Sequence, residues 1–261
     1  MKVKRALVTG AGKRLGRAMA LDLAHQGFDV AVHYATSSEE AAEVVAAIRD
    51  AGGAAEALHA DLLDDEQTRG LMGRAATALG GPLSLLVNNA SIFEYDNLEN
   101  ATDESWERHL GSNLKAPFFL TQEFSRQAPE PVDDTNGEPH PQALVVNMID
   151  QRVLKPTPEF MTYTIAKMGL WAFTRTAAQA LGARVRVNAI GPGPTLIGAN
   201  QSEPHFARQR ASTVLGRGAN PEDVTAALRY LINAPAVTGQ LICVDGGQHL
   251  GWETPDVSGL E

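Results

Sequence analysis

Residues 3–16 read VKRALVTGAGKRLG, and this stretch decides the fold. The run Val3–Val8 is short and apolar, which predicts a buried strand. Glycines follow at positions 10, 12 and 16, and a helical pattern then continues to about Gln26. Gly10 permits a tight turn, Gly16 lets helix and strand approach closely, and the helix N-terminus offers free N–H groups to a pyrophosphate. Strand, glycine-rich turn and helix in this order predict the opening of a dinucleotide-binding unit.

Short apolar runs alternate with helical patterns along the rest of the 261 residues. The alternation predicts a parallel sheet with right-handed crossovers. The fold class that follows is α/β, a Rossmann-type doubly wound sheet with helices on both faces, and the length fits one domain over residues 1–261. The further predicted strands are 28–34, 54–60, 83–87, 143–149, 185–190 and 240–244, and the predicted helices include about 103–127 and one that starts at about 161.

Composition and charge argue against several classes of function. Hydrophobic residues make up 44% and charged residues 20% of the chain, as in an ordinary globular protein. The net charge of −9 argues against a nucleic-acid partner, which would require clustered Lys and Arg. No apolar run approaches the roughly 20 residues that span a bilayer, and no signal peptide precedes the first strand. The single cysteine, Cys243, excludes an internal disulfide and a Cys-rich zinc site. We therefore expect a cytoplasmic protein with a small-molecule partner and no metal.

The end of the second predicted strand indicates which nicotinamide cofactor binds. An Asp or Glu at this position binds the ribose 2′-OH of NAD, but here the chain has His33, and then Thr36 and Ser37. The absence of an acid at this position removes one source of repulsion against a 2′-phosphate, and Lys13 and Arg14 on the neighbouring turn can supply positive charge. The sequence thus favours NADPH over NADH. Alternatively, or in addition, Ser37 or Ser38 caps the next helix.

Other candidate cofactor contacts follow the third, fourth and sixth strands. Asp61 and Leu62 are placed to hold the adenine edge, although Asp61 is equally suited to cap a helix. Asn89 lies at the carboxyl end of a central strand, where doubly wound sheets bind their ligands. The full set of predicted cofactor contacts is Gly10, Lys13, Arg14, Leu15, His33, Thr36, Ser37, Asp61, Leu62, Asn89, Ala90, Ser91, Lys167, Pro192 and Gly193.

Tyr163 and Lys167 are four residues apart on a predicted helix, so both side chains lie on one face. A cation beside a phenol favours the phenolate and lowers its pKa, as a proton shuttle requires. Asn113 lies inside another predicted helix, where asparagine is a weak helix former, so a packing or functional role is expected.

Two segments break the alternation. Residues 129–142 contain many prolines and acids, which predicts a solvated loop without a catalytic role. Residues 196–218 are polar and weakly periodic, as expected of a lid over a substrate.

Five motifs in this order resemble the short-chain dehydrogenase/reductase family over residues 3–248: TGAGKRLG at 9–16, NNAS at 88–91, Asn113, YTIAK at 163–167 and GPGPT at 191–195. The resemblance implies a seven-stranded parallel sheet, a nicotinamide cofactor and hydride transfer. It also implies that Tyr163 donates a proton, that Lys167 lowers the pKa of Tyr163, and that Asn113 joins a proton relay through water. Members are commonly tetramers, so we expect a homotetramer.

One departure from the family pattern indicates the substrate. Most members carry a serine thirteen residues before the tyrosine, and this chain has Asp150 there. An ionised Asp accepts hydrogen bonds only, which disfavours the reduction of a ketone. Together with Arg14, Ser91 and Phe93, this substitution resembles the pteridine reductases. The resemblance implies reduction of a ring C=N in a pterin, dihydropterin or dihydrofolate, with Asp150 and Tyr163 as proton donors and an aromatic ring stacked on the pterin.

The implied catalytic residues are Asp150, Tyr163, Lys167 and Asn113, and the implied substrate contacts are Arg14, Ser91, Phe93, Asp150 and Tyr163. Two alternatives remain open: a carbonyl reductase of the same family acting on a 3-oxoacyl, sugar or steroid substrate, and a protein that senses NADP(H) without turnover.

Overall fold

Seven parallel strands form the central sheet of the protein, as predicted. The computed structural model describes residues 1, 3–198 and 201–252. In chain order the sheet strands are β1 (Arg5–Val8), β2 (Asp29–Tyr34), β3 (Ala55–His59), β4 (Leu85–Asn88), β7 (Ala143–Met148), β8 (Val185–Pro192) and β9 (Leu241–Val244), with β5 (Val132–Asp133) and β6 (Pro139–His140) outside this sheet.

The order of the strands places a crevice between β1 and β4. The sheet runs β3-β2-β1-β4-β7-β8-β9, and every neighbouring pair is parallel. The chain winds outward from β1 through β2 to β3, and then returns to β4 on the other side of β1. This reversal is the switch point at which doubly wound sheets bind ligands, beyond the carboxyl ends of the strands. The residues that follow β1 and β4 therefore lie beside each other there.

Helices cover both faces of the sheet. One buried apolar cluster joins α1, α2 and α8 to one face, and a second joins α3, α5 and α6 to the other. Because both faces are covered, the central strands β1, β4 and β7 are largely apolar and buried, as is typical of parallel sheets. The helices are α1 (Arg14–His25), α2 (Ser38–Asp50), α3 (Asp65–Ala78), α4 (Asp103–Leu110), α5 (Ala116–Gln127), α6 (Met161–Leu181), α7 (Glu203–Ala211) and α8 (Pro221–Asn233).

The single helix predicted over 103–127 is two helices. One π-helical turn, Gly111–Lys115, separates α4 from α5. A π turn adds one residue to the helical repeat and is frequent at functional sites. It contains Asn113, whose low helix propensity was the signal that something other than plain helix occurs here.

The two irregular segments contain more structure than their composition predicted. Residues 129–142 hold a short antiparallel hairpin of β5 and β6. Its turn is stabilised by Asp134, whose Oδ1 accepts from Asn136 N–H at 2.7 Å, and by Gly137, which has a positive φ of 77°. The predicted lid, 196–218, contains α7, and its residues 199 and 200 lie outside the described residues. No helix in the described part of the chain has the length and apolar character to cross a bilayer.

Candidate active site

The glycine-rich turn after β1 is packed so closely that side chains would not fit. A Cβ on Gly16 would lie 2.1 Å from the Gly10 carbonyl oxygen, and one on Gly12 would lie 2.9 Å from Ser37 Oγ. Gly10 itself has a φ of 61°, which favours glycine because it has no Cβ. The turn therefore presents bare backbone at the start of α1, as the binding of a pyrophosphate requires.

Two polar side chains tie this turn to the neighbouring strands. His33 is buried; its Nδ1 accepts from Gly10 N–H at 3.0 Å, and its Nε2 lies 3.0 Å from the Ala60 carbonyl oxygen. Asn89 Nδ2 donates to the carbonyl oxygens of Thr9 at 2.8 Å and Gly10 at 3.2 Å. Both ring nitrogens of His33 are thus occupied within the protein, and burial lowers its pKa to about 4. His33 shapes the cofactor turn and presents no free nitrogen to a ligand.

Lys13 and Arg14, the two basic residues of the turn, each bind a partner within the protein. Lys13 Nζ lies 2.7 Å from Glu40 Oε1 in an exposed ion pair. Arg14 has a φ of 53°, and its guanidinium donates to the carbonyl oxygens of Ile197 at 2.7 Å and Leu196 at 3.1 Å. Arg14 therefore connects the turn to the start of the predicted lid. The structure does not bring Lys13 and Arg14 to one point beside Ser37 as a pair of free cations.

Neither Ser37 nor Asp61 makes a side-chain hydrogen bond that caps a helix. Ser37 occupies the N-cap position of α2, but its side chain makes no capping hydrogen bond. Its Oγ lies over Gly12, which leaves the hydroxyl at the rim of the glycine turn. Asp61 Oδ1 accepts from Leu63 N–H at 2.9 Å, and the cap of α3 is Asp64. The capping alternative is therefore wrong for Asp61, whereas Ser37 lies at the predicted cap position without a side-chain capping bond.

The remaining predicted cofactor contacts lie along the same edge of the sheet. The backbone of Ala90 donates to Thr9 Oγ1 at 2.9 Å, which holds the end of β4 against the end of β1. Gly193 follows β8, and a Cβ on it would lie 2.6 Å from Asp245 Cβ. The others on this edge are Leu15, Thr36, Leu62, Ser91 and Pro192.

Asp150 and Tyr163 are in direct contact. The Tyr163 hydroxyl donates to Asp150 Oδ2 at 3.0 Å, and Asp150 Oδ1 accepts from Arg152 N–H at 2.8 Å. Asp150 ends the segment after β7, whereas Tyr163 lies in the first turn of α6. Lys167 is buried one turn further along α6, and its Nζ donates to the Met148 carbonyl oxygen at 2.8 Å. The structure thus brings together three of the predicted catalytic residues.

Burial controls the protonation of these groups. Burial raises the pKa of the Asp150 carboxyl, and hydrogen bonds and the nearby Arg152 and Lys167 only partly offset this effect. Burial and the charge of Asp150 raise the pKa of Tyr163 well above its usual value of 10. Burial lowers the pKa of Lys167 to about 8. In this structure burial and the adjacent carboxyl raise the pKa of Tyr163, and the implied lowering of that pKa by Lys167 stays a prediction.

Asn113 is fully buried in the π turn, and its side-chain amide is paired with a backbone. Its Oδ1 accepts from Ile92 N–H and its Nδ2 donates to the Ile92 carbonyl oxygen, both at 2.8 Å. Asn113 therefore holds the start of the loop Ser91–Asp96, here called the substrate loop. Its part in a proton relay stays a prediction, since its side chain is engaged with this loop.

Aromatic rings form a platform beside Tyr163. The ring of Phe93, 54% exposed, stacks on Phe160 with 4.3 Å between centroids and 9° between planes. The edge of Phe93 meets Tyr163 at 4.7 Å, and Tyr95 meets Phe160 at 5.3 Å. The Arg152 guanidinium lies 5.3 Å from the Phe160 ring centroid. Phe93 thus has a ring partner in the protein and still exposes surface next to Tyr163.

Sequence reasoning missed three residues of this site: Asp96, Arg152 and Phe160. Arg152 is two positions after Asp150, and this proximity was an available signal. Phe160 has a φ of 55°, which is uncommon for an aromatic residue. Nothing in the sequence marks that conformation.

Comparison with known proteins identifies the family. A family model described as enoyl-(acyl carrier protein) reductase matches residues 10–249. The 3beta-hydroxysteroid dehydrogenase 1 of Eggerthella lenta is 34% identical over 257 residues, covering 96% of this chain and 95% of that enzyme. The chain belongs to the short-chain dehydrogenase/reductase family and is an oxidoreductase, which confirms the prediction made from its motifs.

Solved structures extend the comparison. The chain is similar to FolM alternative dihydrofolate reductase 1 from Brucella suis, crystallised in complex with NADP, at 43% identity and a TM-score of 0.90, covering 98% of each chain. It is also similar to the angucycline C-6 ketoreductase LanV with bound NADP, at 31% identity and a TM-score of 0.85, covering 95% of this chain and 96% of that one. The first likeness is consistent with the predicted resemblance to pteridine reductases.

Proposed function

We propose that the protein reduces a ring C=N bond of a pterin, dihydropterin or dihydrofolate with NADPH. The observation that carries the proposal is the contact between Asp150 and Tyr163. This contact puts a carboxyl of raised pKa at the position where most members of the family carry a serine hydroxyl. A ring nitrogen that becomes N–H needs a proton, and a carboxyl with a raised pKa supplies one.

The glycine turn fits a dinucleotide cofactor. A Cβ on Gly16 would collide with the backbone of Gly10, and a Cβ on Gly10 or Gly12 would make a tight contact, so the turn presents bare backbone. Ser37 keeps its hydroxyl free of a capping bond at the rim of this turn, where it can donate to a 2′-phosphate. Lys167 is one of the predicted cofactor contacts, and it lies one helical turn after Tyr163. NADPH, when bound, supplies the hydride, and NADP in the FolM and LanV structures supports this choice.

The proton comes from Asp150 in this proposal. Tyr163 is the weaker donor of the two, because its pKa is raised well above 10. The Tyr163 hydroxyl and the Arg152 N–H hold the two carboxyl oxygens of Asp150 and so fix its orientation. Asp150 would transfer its proton to the ring nitrogen next to the carbon that is reduced, and would then be reprotonated from solvent. NADPH, if bound, would supply the hydride for that carbon, so that the C=N bond gains one hydride and one proton.

Phe93 supports a flat ring substrate. Its ring is held against Phe160 and Tyr163, yet half of it stays exposed beside the catalytic pair. An offset stack on an aromatic face contributes about 0.5–1.5 kcal/mol beyond the area it buries. A two-ring pterin gains this contribution, whereas a small aliphatic carbonyl compound does not.

The second candidate function is carbonyl reduction. A steroid dehydrogenase is 34% identical, and the FabG 3-oxoacyl-[acyl-carrier-protein] reductase of Staphylococcus aureus is 29% identical, covering 95% of this chain and 98% of that enzyme. The third reading, binding of NADP(H) without turnover, is opposed by the intact set of Tyr163, Lys167 and Asn113.

The deciding experiment follows NADPH oxidation with dihydromonapterin, dihydrobiopterin and dihydrofolate, for the wild type and for Asp150→Ala and Asp150→Ser. We expect turnover in the wild type and a collapse in both variants. If Asp150→Ser instead gains activity on a 3-oxoacyl or steroid ketone while the wild type ignores every pterin, the protein is a carbonyl reductase. NADPH binding without turnover on either panel supports the sensing function.

A further inference from the structure

Asp96, at the end of the substrate loop, binds the chain just before Tyr163. Its side chain is only 2% exposed. Its backbone carbonyl oxygen accepts from Phe160 N–H at 2.7 Å, and its Oδ1 accepts from Thr162 N–H at 3.2 Å. Its Oδ2 accepts from the Thr162 hydroxyl. One residue thus joins the loop that carries Phe93 to the end of α6 that carries Tyr163.

His109 of α4 completes this arrangement. Its Nε2 lies 3.1 Å from Glu94 N–H, and its Nδ1 lies 2.7 Å from Thr162 Oγ1. A backbone N–H can only donate, so Nε2 accepts and the proton of the neutral ring is on Nδ1. Since the Thr162 hydroxyl gives its single proton to Asp96, its oxygen is free to accept from His109. Each hydrogen bond of this series therefore has an assigned direction. The series ends at the Asp96 carboxylate, which accepts from Thr162.

Phe160 shows what these hydrogen bonds hold in place. Its φ of 55° lies in the left-handed region, which costs about 1–2 kcal/mol for a residue with a Cβ. Its N–H is bound by Asp96, and its carbonyl oxygen accepts from the Thr164 hydroxyl at 2.7 Å. The conformation places its ring parallel to Phe93. A buried carboxylate destabilises a protein unless it is well paired. The Asp96 carboxylate is paired, and its hydrogen bonds join the substrate loop to the start of α6.

We propose that Asp96, Thr162 and His109 form a clamp, the Asp96 clamp, that positions the Phe93–Phe160 ring pair against Tyr163 and thereby determines how tightly a flat substrate ring binds. The three are positioning residues, since they act through Phe160 and the first turn of α6. The inference rests on the proposed function, because it assumes a ring substrate stacked on Phe93.

The test compares Thr162→Val, which keeps the shape but removes the hydroxyl, with Thr162→Ser, which retains the hydroxyl. Losing a hydrogen bond to a charged group raises the KM for dihydropterin by about tenfold or more. The dissociation constant of NADPH, measured by fluorescence, stays within about twofold, because the clamp contacts no residue of the glycine turn. Thr162→Ser restores the wild-type KM. Thr176→Val is the matched control, since its hydroxyl bonds only to carbonyls of α6.

A double-mutant cycle separates positioning from general stability. If the clamp acts through the ring pair, Thr162→Val adds little to the KM of Phe93→Ala, whereas independent effects would add. Full additivity overturns the proposal, as does a Thr162→Val variant with wild-type KM. Asp96→Asn repeats the cycle should Thr162→Val fail to fold.

Amide hydrogen exchange tests the clamp without any substrate. The N–H groups of Glu94, Phe160 and Thr162 are expected to be protected in the wild type and in Thr162→Ser, and to exchange faster in Thr162→Val. Rapid exchange at these amides in the wild type overturns the clamp. A protected clamp in a protein that reduces no pterin or folate would refute the proposed function and, with it, the assigned ring substrate.

Discussion

Replacing Gly16 by alanine puts a methyl group where the structure has backbone. The added Cβ would lie 2.1 Å from the Gly10 carbonyl oxygen and 2.6 Å from Asn89 Nδ2. An ordinary contact between such atoms is about 3.5 Å, so α1 and the turn after β1 must separate by more than about 1 Å. Overpacking of this kind costs about 1–3 kcal/mol. Each kcal/mol lowers the Tm by about 2–4 °C at this chain length, so we expect a loss of several degrees.

The same displacement disturbs the candidate cofactor site, because Gly10 and Asn89 both belong to it. We expect the dissociation constant of NADPH to rise by at least about tenfold, equivalent to about 1.4 kcal/mol. Thermal unfolding measures the first effect, and titration of NADPH fluorescence measures the second. Both are needed, since a variant that is merely less stable binds NADPH normally at a temperature where it is folded.

Gly73→Ala is the matched control. Gly73 lies in α3, and apart from the neighbouring backbone of α3 itself no described atom lies within 4 Å of a Cβ added there. Because alanine is a better helix former than glycine by about 0.5–1 kcal/mol, this variant gains stability and binds NADPH as the wild type does. A Gly16→Ala protein with wild-type Tm and wild-type NADPH affinity would show that α1 and the turn after β1 are not in close contact. The prediction about the cofactor turn would then be wrong.

Three further predictions concern Asp150, Phe93 and His33. Asp150→Asn keeps the shape of the site but carries no transferable proton, so kcat for dihydropterin falls by about 10²–10⁴. The wild-type kcat falls as pH rises through the raised pKa of Asp150, and a wild-type profile without this fall contradicts the assignment. Phe93→Ala raises the KM for dihydropterin by about tenfold at unchanged NADPH affinity, with recovery in Phe93→Tyr; an unchanged KM would remove Phe93 from the substrate site. Because burial lowers the pKa of His33 to about 4, the unfolded chain binds a proton there first as pH falls below about 6.5. The stability that neutral His33 contributes, about 3 kcal/mol, is therefore present above pH 6.5 and lost towards pH 4. His33→Gln lacks this dependence, and equal slopes of Tm against pH in both proteins would refute it.

Local patterns predicted most of the fold. The order of strands and helices follows from short apolar runs and helical periodicity, and those signals need no knowledge of distant residues. The contact between Asp150 and Tyr163 was also predictable, because the twelve residues between them connect the end of a central strand to the next helix. Tyr163 and Lys167 required only the spacing of one helical turn.

The features that sequence reasoning missed depend on contacts between distant parts of the chain. Arg14 was expected to bind a ligand, but its guanidinium meets carbonyl oxygens 182 and 183 positions away. Asp96 reads as an ordinary loop acid, and its role appears only when Thr162, 66 positions later, folds against it. Burial is similarly non-local, which is why the pKa of Tyr163 moved in the direction opposite to the one that Lys167 alone would cause.

The protonation of Asp150 and Tyr163 connects the unusual residue to the chemistry of the site. Reduction of either a carbonyl or a ring C=N needs a group that can donate a proton, and a carboxyl can donate only while it is protonated. Burial makes Asp150 hold its proton to higher pH, while the Tyr163 hydroxyl occupies one carboxyl oxygen and stays protonated itself. The pair can therefore release one proton, and it comes from Asp150. In the proposed function a C=N nitrogen takes that proton directly, and this is the role that we assign to Asp150 at the position of the family's serine.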